Sequence, residues 1–227
     1  LEFRRVLFRS IRWYGTEANY YYLPEALCVP IIKTLLEEKI ETEPAEVNKR
    51  IEDLMLNHCD NSMMAAVMDY AVIVARLYEK ALTLGSLTLN TADEYVMKYE
   101  SDYCFIDQYY RQANETYFGI NPTCKLFDAV QKVKHCLDQN YSKLCNRINL
   151  EWTRCLKETG GMDEVHLLRQ YNFYDEKIKP MQKKVAVIVS DALRYEVAQE
   201  LVGELAKSKH IASLKPAIAM LPSETKY

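Results

Sequence analysis

Glycine is scarce in this chain, at six of 227 residues, while tyrosine is abundant at 17. That balance argues against a turn-rich β protein and for long helices with aromatic packing. No Cys-x-x-Cys occurs, and no cysteine–histidine cluster has zinc-ligand spacing. The seven cysteines (28, 59, 104, 124, 136, 145 and 155) are odd in number and scattered. They read as reduced, mostly buried thiols of a cytoplasmic protein, not as a disulfide or metal framework. The four histidines (58, 135, 166 and 210) include no His-x-x-x-His pair. No apolar run approaches the roughly 18–20 residues of a membrane span, and no signal peptide is evident. The net charge of −3 demands no nucleic-acid partner, although it leaves room for a local basic groove.

What is present is a globular composition, 49% hydrophobic and 27% charged, with length for one or two domains. The first ten residues, Leu-Glu-Phe-Arg-Arg-Val-Leu-Phe-Arg-Ser, read as translated adapter or cloning sequence, the alternative being a short basic amphipathic arm. Residues 1–10 are therefore set apart from the fold. Leu221 to Tyr227 holds no complete element, and the expectation is an internal fragment of a longer protein.

Residues 11–170 carry helical spacing. Val47, Ile51, Leu54 and Met55 form one stripe behind Pro44, which suits a first helical position. Val67, Ala71, Val74 and Tyr78 form a second, Leu126, Val130, Val133 and Leu137 a third. Tyr141, Leu144, Ile148, Trp152 and Cys155 form a fourth, closed by Gly160-Gly161, with a short helix expected from Met162 to Leu168. Thr91 and Glu94 have capping-box spacing. Aromatics from Tyr99 to Arg111 invite a base-stacking reading, but Tyr103, Ile106, Tyr110 and Ala113 share one helical face, and packing is the better account.

The period changes near Tyr171. Residues 171–183, with Pro180, read as a linker. The run Val185-Ala-Val-Ile-Val189 does not alternate, which predicts a strand buried on both faces over 184–190. Val197, Leu201, Val202 and Leu205 then give a helix, and 211–220 holds the next candidate strand. This is a βαβ pattern, and parallel strands deliver their C-terminal ends to one edge. Asp191 would leave the first strand there, and Pro222-Ser-Glu-Thr225 the second. A carboxylate beside a hydroxyl suits a hard cation next to a nucleophile. Spacing alone equally allows Asp191 as a helix N-cap and Ser223 and Thr225 as turn residues. The absence of glycine from Ser190-Asp-Ala-Leu-Arg-Tyr195 excludes a P-loop or dinucleotide fingerprint.

Asp191-Ala-Leu-Arg-Tyr-Glu196, the apolar run before it and Leu-Pro-Ser-Glu-Thr-Lys226 downstream resemble the start of the PglZ domain. That domain belongs to the alkaline-phosphatase superfamily and occurs in bacterial BREX phage-defence systems. The resemblance covers about residues 184–227. It implies an α + α/β chain, with an N-terminal all-helical region followed by the first βαβ unit of an alkaline-phosphatase-like α/β domain. Asp191 matches the superfamily's first metal-ligand aspartate. Thr225 matches the metal-bound nucleophile, with Ser223 the lesser candidate, and no separate cofactor-binding residue is implied. Arg194 and Glu196 belong to the motif, Arg194 serving to anchor either a phosphate or a structural carboxylate. The remaining Asp and His ligands lie downstream in the superfamily. The expectation is thus a phosphoester hydrolase whose divalent cation, Zn2+, is held only in the full-length protein, and a fragment without activity. Other phage-defence subunits are the implied partners, and a phosphate ester or nucleic-acid phosphodiester the substrate, with no membrane. The alternative is a non-enzymatic helical scaffold of the same defence complex.

Overall fold

The computed structural model describes residues 25–56, 62–190 and 193–219. The chain divides into two compact units, one from Leu1–Leu87 and Phe105–Asn149, the other from Thr88–Cys104 and Leu150–Tyr227.

The first unit is helical in its described residues. Helix α1 (Glu25–Thr34) buries Cys28 and Ile32, although Pro30 removes one backbone donor from its interior. It runs into a wider π-type turn, Leu35–Lys39, which buries Leu35 and Leu36. Helix α2 (Pro44–Leu56) starts on proline, as expected where the missing N–H has no intrahelical partner. Its stripe is narrower than the sequence suggests: Val47 and Ile51 are buried, whereas Met55 is exposed. Helix α3 (Ser62–Leu82) packs on α2 and buries Val67, Ala71, Val74 and Tyr78 together. Val67 and Val74, both fully buried, contribute about 1.5–3 kcal/mol apiece.

Chain order then places α4 (Ala92–Lys98) in the second unit, followed by a π-type turn, Tyr99–Tyr103. Helix α5 (Cys104–Gly119) and the long α6 (Phe127–Thr159) come next. Leu126, Val130, Val133 and Leu137 are all buried, as their spacing predicts. Within the first unit the Tyr110 and Tyr141 rings stack at 3.7 Å. Tyr110 donates to Asp138 at 3.0 Å and Tyr141 to Asp107 at 2.8 Å. Burial, with the Asp107 carboxylate beside it, pushes the Tyr141 hydroxyl well above its ordinary range. Those tyrosines tie α5 to α6, which confirms packing over base stacking.

In the second unit α6 ends at Gly160 and Gly161, both at positive φ (105° and 95°), a conformation other residues adopt only under strain. The expected helix from Met162 to Leu168 is a single 3-10 turn, Met162–Glu164, followed by strand β1 (Leu168–Arg169). Short turns at Gln170–Asn172 and Tyr174–Ile178 follow. Helix α7 (Tyr195–Lys207) lies where its apolar spacing places it, yet Leu201 on that stripe is exposed. Strand β2 (Ala217–Ile218), just after Pro216, pairs in parallel with β1 in the register Leu168↔Ala217 and Arg169↔Ile218.

The strand expected over 184–190 is not formed among the described residues. The segment is not in a strand and is exposed, Ile188 at 91% and Val189 at 89%. A strand apolar on both faces needs neighbours on both sides and cover above and below, and no described segment supplies them. The parallel partner of β2 is instead Leu168–Arg169. At the level of architecture the chain is helical with a small parallel sheet towards its C-terminal end.

Candidate functional site

Asp191, Thr225 and Ser223, the three residues that the sequence singles out for metal binding and nucleophilic attack, lie outside the described residues. The structure does describe the stretches that lead to them. Residues 184–190 run exposed towards Asp191, and β2 precedes the Pro222–Thr225 stretch by a few residues. Since β1 and β2 are parallel, their C-terminal ends share one edge, the usual place for ligand groups in an open sheet.

The described part of the motif is the start of α7. Arg194 precedes the helix with extended backbone, φ −70° and ψ 163°. Glu196, in the first turn, is the one carboxylate that is fully buried among the described residues. Its Oε1 lies 2.6 Å from Arg194 Nη2. The contact is an ion pair whose angle falls short of an aligned hydrogen bond, and Oε2 has no hydrogen-bond partner. The positive end of the helix dipole favours a carboxylate at this position. The Arg194 side chain, by contrast, is 60% exposed. Of the two anchoring roles open to Arg194 from sequence, the carboxylate partner is therefore present.

Neighbouring contacts tie this turn to the π-type turn Tyr99–Tyr103 and to Cys104. The Tyr195 ring meets Tyr99 edge-on at 6.1 Å. Cys104 Sγ lies 3.1 Å from Gln199 Oε1 and 3.2 Å from the Glu100 carbonyl, two acceptors that share its one S–H donor. Burial raises the Tyr195 hydroxyl above its ordinary range, assisted by the charge of Glu100. On α4, Asp93 accepts from the His166 backbone N–H at 3.0 Å and faces His166 Nδ1 at 2.7 Å. Those hydrogen bonds hold its carboxyl below the usual range. The sequence places Glu196 in the motif without indicating its burial, and it gives no sign of the Asp93–His166 pair. Their partners sit two and 73 residues apart, at no spacing that marks a motif.

Among the described residues no three His, Cys, Asp or Glu side chains come together in a way that could hold a metal ion. The described residues alone therefore do not fit a divalent cation. No helix among them is long and apolar enough to cross a membrane. Among the described cysteines, Cys28, Cys104, Cys124 and Cys155 are buried.

Residues 173–227 match a family described as the BREX system PglZ alkaline phosphatase-like domain. The match includes the whole motif region and begins eleven residues before the stretch on which the sequence resemblance rests. An alkaline phosphatase-like protein BrxZ from Escherichia coli O9:H4 (strain HS) is 46% identical over 63 residues, covering 25% of this chain and 7% of that protein. An alkaline phosphatase-like protein PglZ from Bacillus cereus (strain H3081.97) is 28% identical over 160 residues, covering 66% of this chain and 18% of that protein. The matched stretches thus span less than a fifth of either relative. No solved structure matches the chain.

Proposed function

We propose that this chain is the N-terminal part of a metal-dependent phosphoester hydrolase, a phosphatase or phosphodiesterase, of a bacterial BREX phage-defence system. The observation that carries the reading is the match of residues 173–227 to the alkaline phosphatase-like domain, in the stretch that contains Asp191 and Thr225. The second relative adds support, because its 160 matched residues must reach into the helical region ahead of that domain. Helical region and phosphatase-like domain are then parts of one cytoplasmic protein with other defence subunits as partners.

In this reading the Thr225 hydroxyl gives up its proton to solvent and its oxygen attacks the phosphorus of a phosphate ester. The bond to the ester oxygen breaks, and the departing alcohol takes up a proton from solvent. Water then hydrolyses the phosphothreonine and restores the hydroxyl. A divalent cation, Zn2+ in the superfamily's manner, would be held by Asp191 and Thr225 with downstream ligands, supplying charge neutralisation and a more acidic hydroxyl. One aspartate and one threonine are too few for a catalytic zinc site, which takes three protein ligands. The 227 residues alone are accordingly expected to be inactive.

Asp191→Ala and Thr225→Ala in the full-length protein should each abolish hydrolysis of an aryl phosphate monoester or diester. Retained turnover in either variant removes the assignment and leaves the non-enzymatic scaffold as the better account.

A further inference from the structure

We propose that the π-type turn Tyr99–Tyr103 is a coupling joint, through which helical residues ahead of the family-matched stretch hold α7 in order. Both sides of the joint belong to the second unit, the turn within Thr88–Cys104 and α7 within Leu150–Tyr227. In an α-helix each N–H bonds four residues back, and residues five apart point about 140° away from each other. Here the Cys104 N–H donates to the Tyr99 carbonyl, five residues back. That wider ring stacks Cys104 over Tyr99 and brings the two side chains to one side of the turn. Their partners on α7, Tyr195 and Gln199, are four residues apart, the spacing of neighbours on one helix face. The extra residue in the turn is what lets both contacts form with a regular helix.

The two contacts differ in kind. Tyr99 and Tyr195 meet edge-on, ring centroids 6.1 Å apart and planes at 69°, an arrangement that the ring quadrupoles favour. The Cys104 thiol has one S–H to share between the Glu100 carbonyl of the turn itself, at 3.2 Å, and Gln199 Oε1, at 3.1 Å. Cys104 is fully buried, so water does not compete for that proton. Elsewhere α7 is held less firmly. Leu201 of its apolar stripe is exposed, and none of residues 184–190 ahead of it is in a strand. The order of α7, and with it of Glu196 in its first turn, is therefore set from outside the family-matched stretch.

The inference concerns the order of a helix and stands apart from the hydrolase reading, so ester turnover plays no part in its test. Hydrogen exchange of the full-length protein is read on peptides from α7, from Tyr99–Tyr103 and from α3. Tyr99→Leu, on the turn, should speed exchange in α7 roughly two- to tenfold, the loss expected of one edge-on aromatic pair. Tyr195→Leu, on α7, should speed exchange in residues 99–103 as well as in α7, because coupling between two elements is reciprocal. Val67 to Tyr78 of α3, in the first unit, should exchange at the parental rate in both variants. Gln199→Ala removes only one of the thiol's two acceptors and carries the test if a tyrosine variant does not fold. It should speed exchange on both sides of the joint by a smaller factor. Acceleration confined to the element that bears the substitution overturns the proposal, as do unchanged rates in α7 and acceleration that reaches α3 equally.

Discussion

The two ends of the Arg194–Glu196 contact stand in different surroundings, and substitutions at them should differ accordingly. Arg194→Ala leaves a carboxylate buried with neither oxygen paired, which costs on the order of 2 kcal/mol even with water able to approach the vacated side. Glu196→Gln leaves an arginine that is already mostly solvated and replaces one buried polar group by another of the same shape. It should cost less than about 1 kcal/mol. Urea unfolding followed by circular dichroism measures both, and an equal cost would mean that the carboxylate is not dehydrated as its burial indicates. The sequence could not disclose this arrangement. A spacing of i, i+2 across a helix start is not a neighbour relation in a regular helix, and only the extended backbone of Arg194 brings the two together.

At the scale of elements, patterning was legible wherever a helix buries one face against another of the same unit. The stripes of α3 and the first half of α6 are buried at every predicted position. The cap of α4 was legible too, with one change of detail. Glu94 N donates to Thr91 Oγ1 at 3.2 Å as a capping box requires, but Glu94 Oε2 accepts from Asn90 N at 2.8 Å, one residue ahead of the cap. Thr91→Ala should therefore destabilise the unit that contains α4 by about 1 kcal/mol, and Thr91→Ser should recover most of it. A Thr91→Ala midpoint in urea indistinguishable from the parent would show that the cap contributes nothing beyond what water supplies. What periodicity could not resolve was the stretch after Gly161, where β1 spans two residues and has no period to read. Its pairing with β2 is a contact over 49 positions (Leu168 to Ala217), specified by no local signal.

For the whole molecule the telling stretch is Val185–Val189, whose sequence states a doubly buried strand and whose described structure is exposed. Both can hold if the sheet neighbours belong to the remaining length of a protein like the relatives, of which the matched part is 7% and 18%. The composition of a strand encodes its final surroundings, whereas its burial depends on which of those surroundings are attached. Ile188→Lys separates the two. In the 227-residue chain, where Ile188 is 91% exposed, the substitution should change stability by no more than about 0.5 kcal/mol. In the full-length protein it should prevent the phosphatase-like domain from folding, because an unpaired charge between two helical layers is not tolerated. Limited proteolysis and thermal unfolding of both lengths report the outcome. If the full-length variant is as stable as its parent, the run is not a central strand. Asp191 would then lose the strand end that gave it its place, and the hydrolase reading would have to stand on Thr225 and the family match alone.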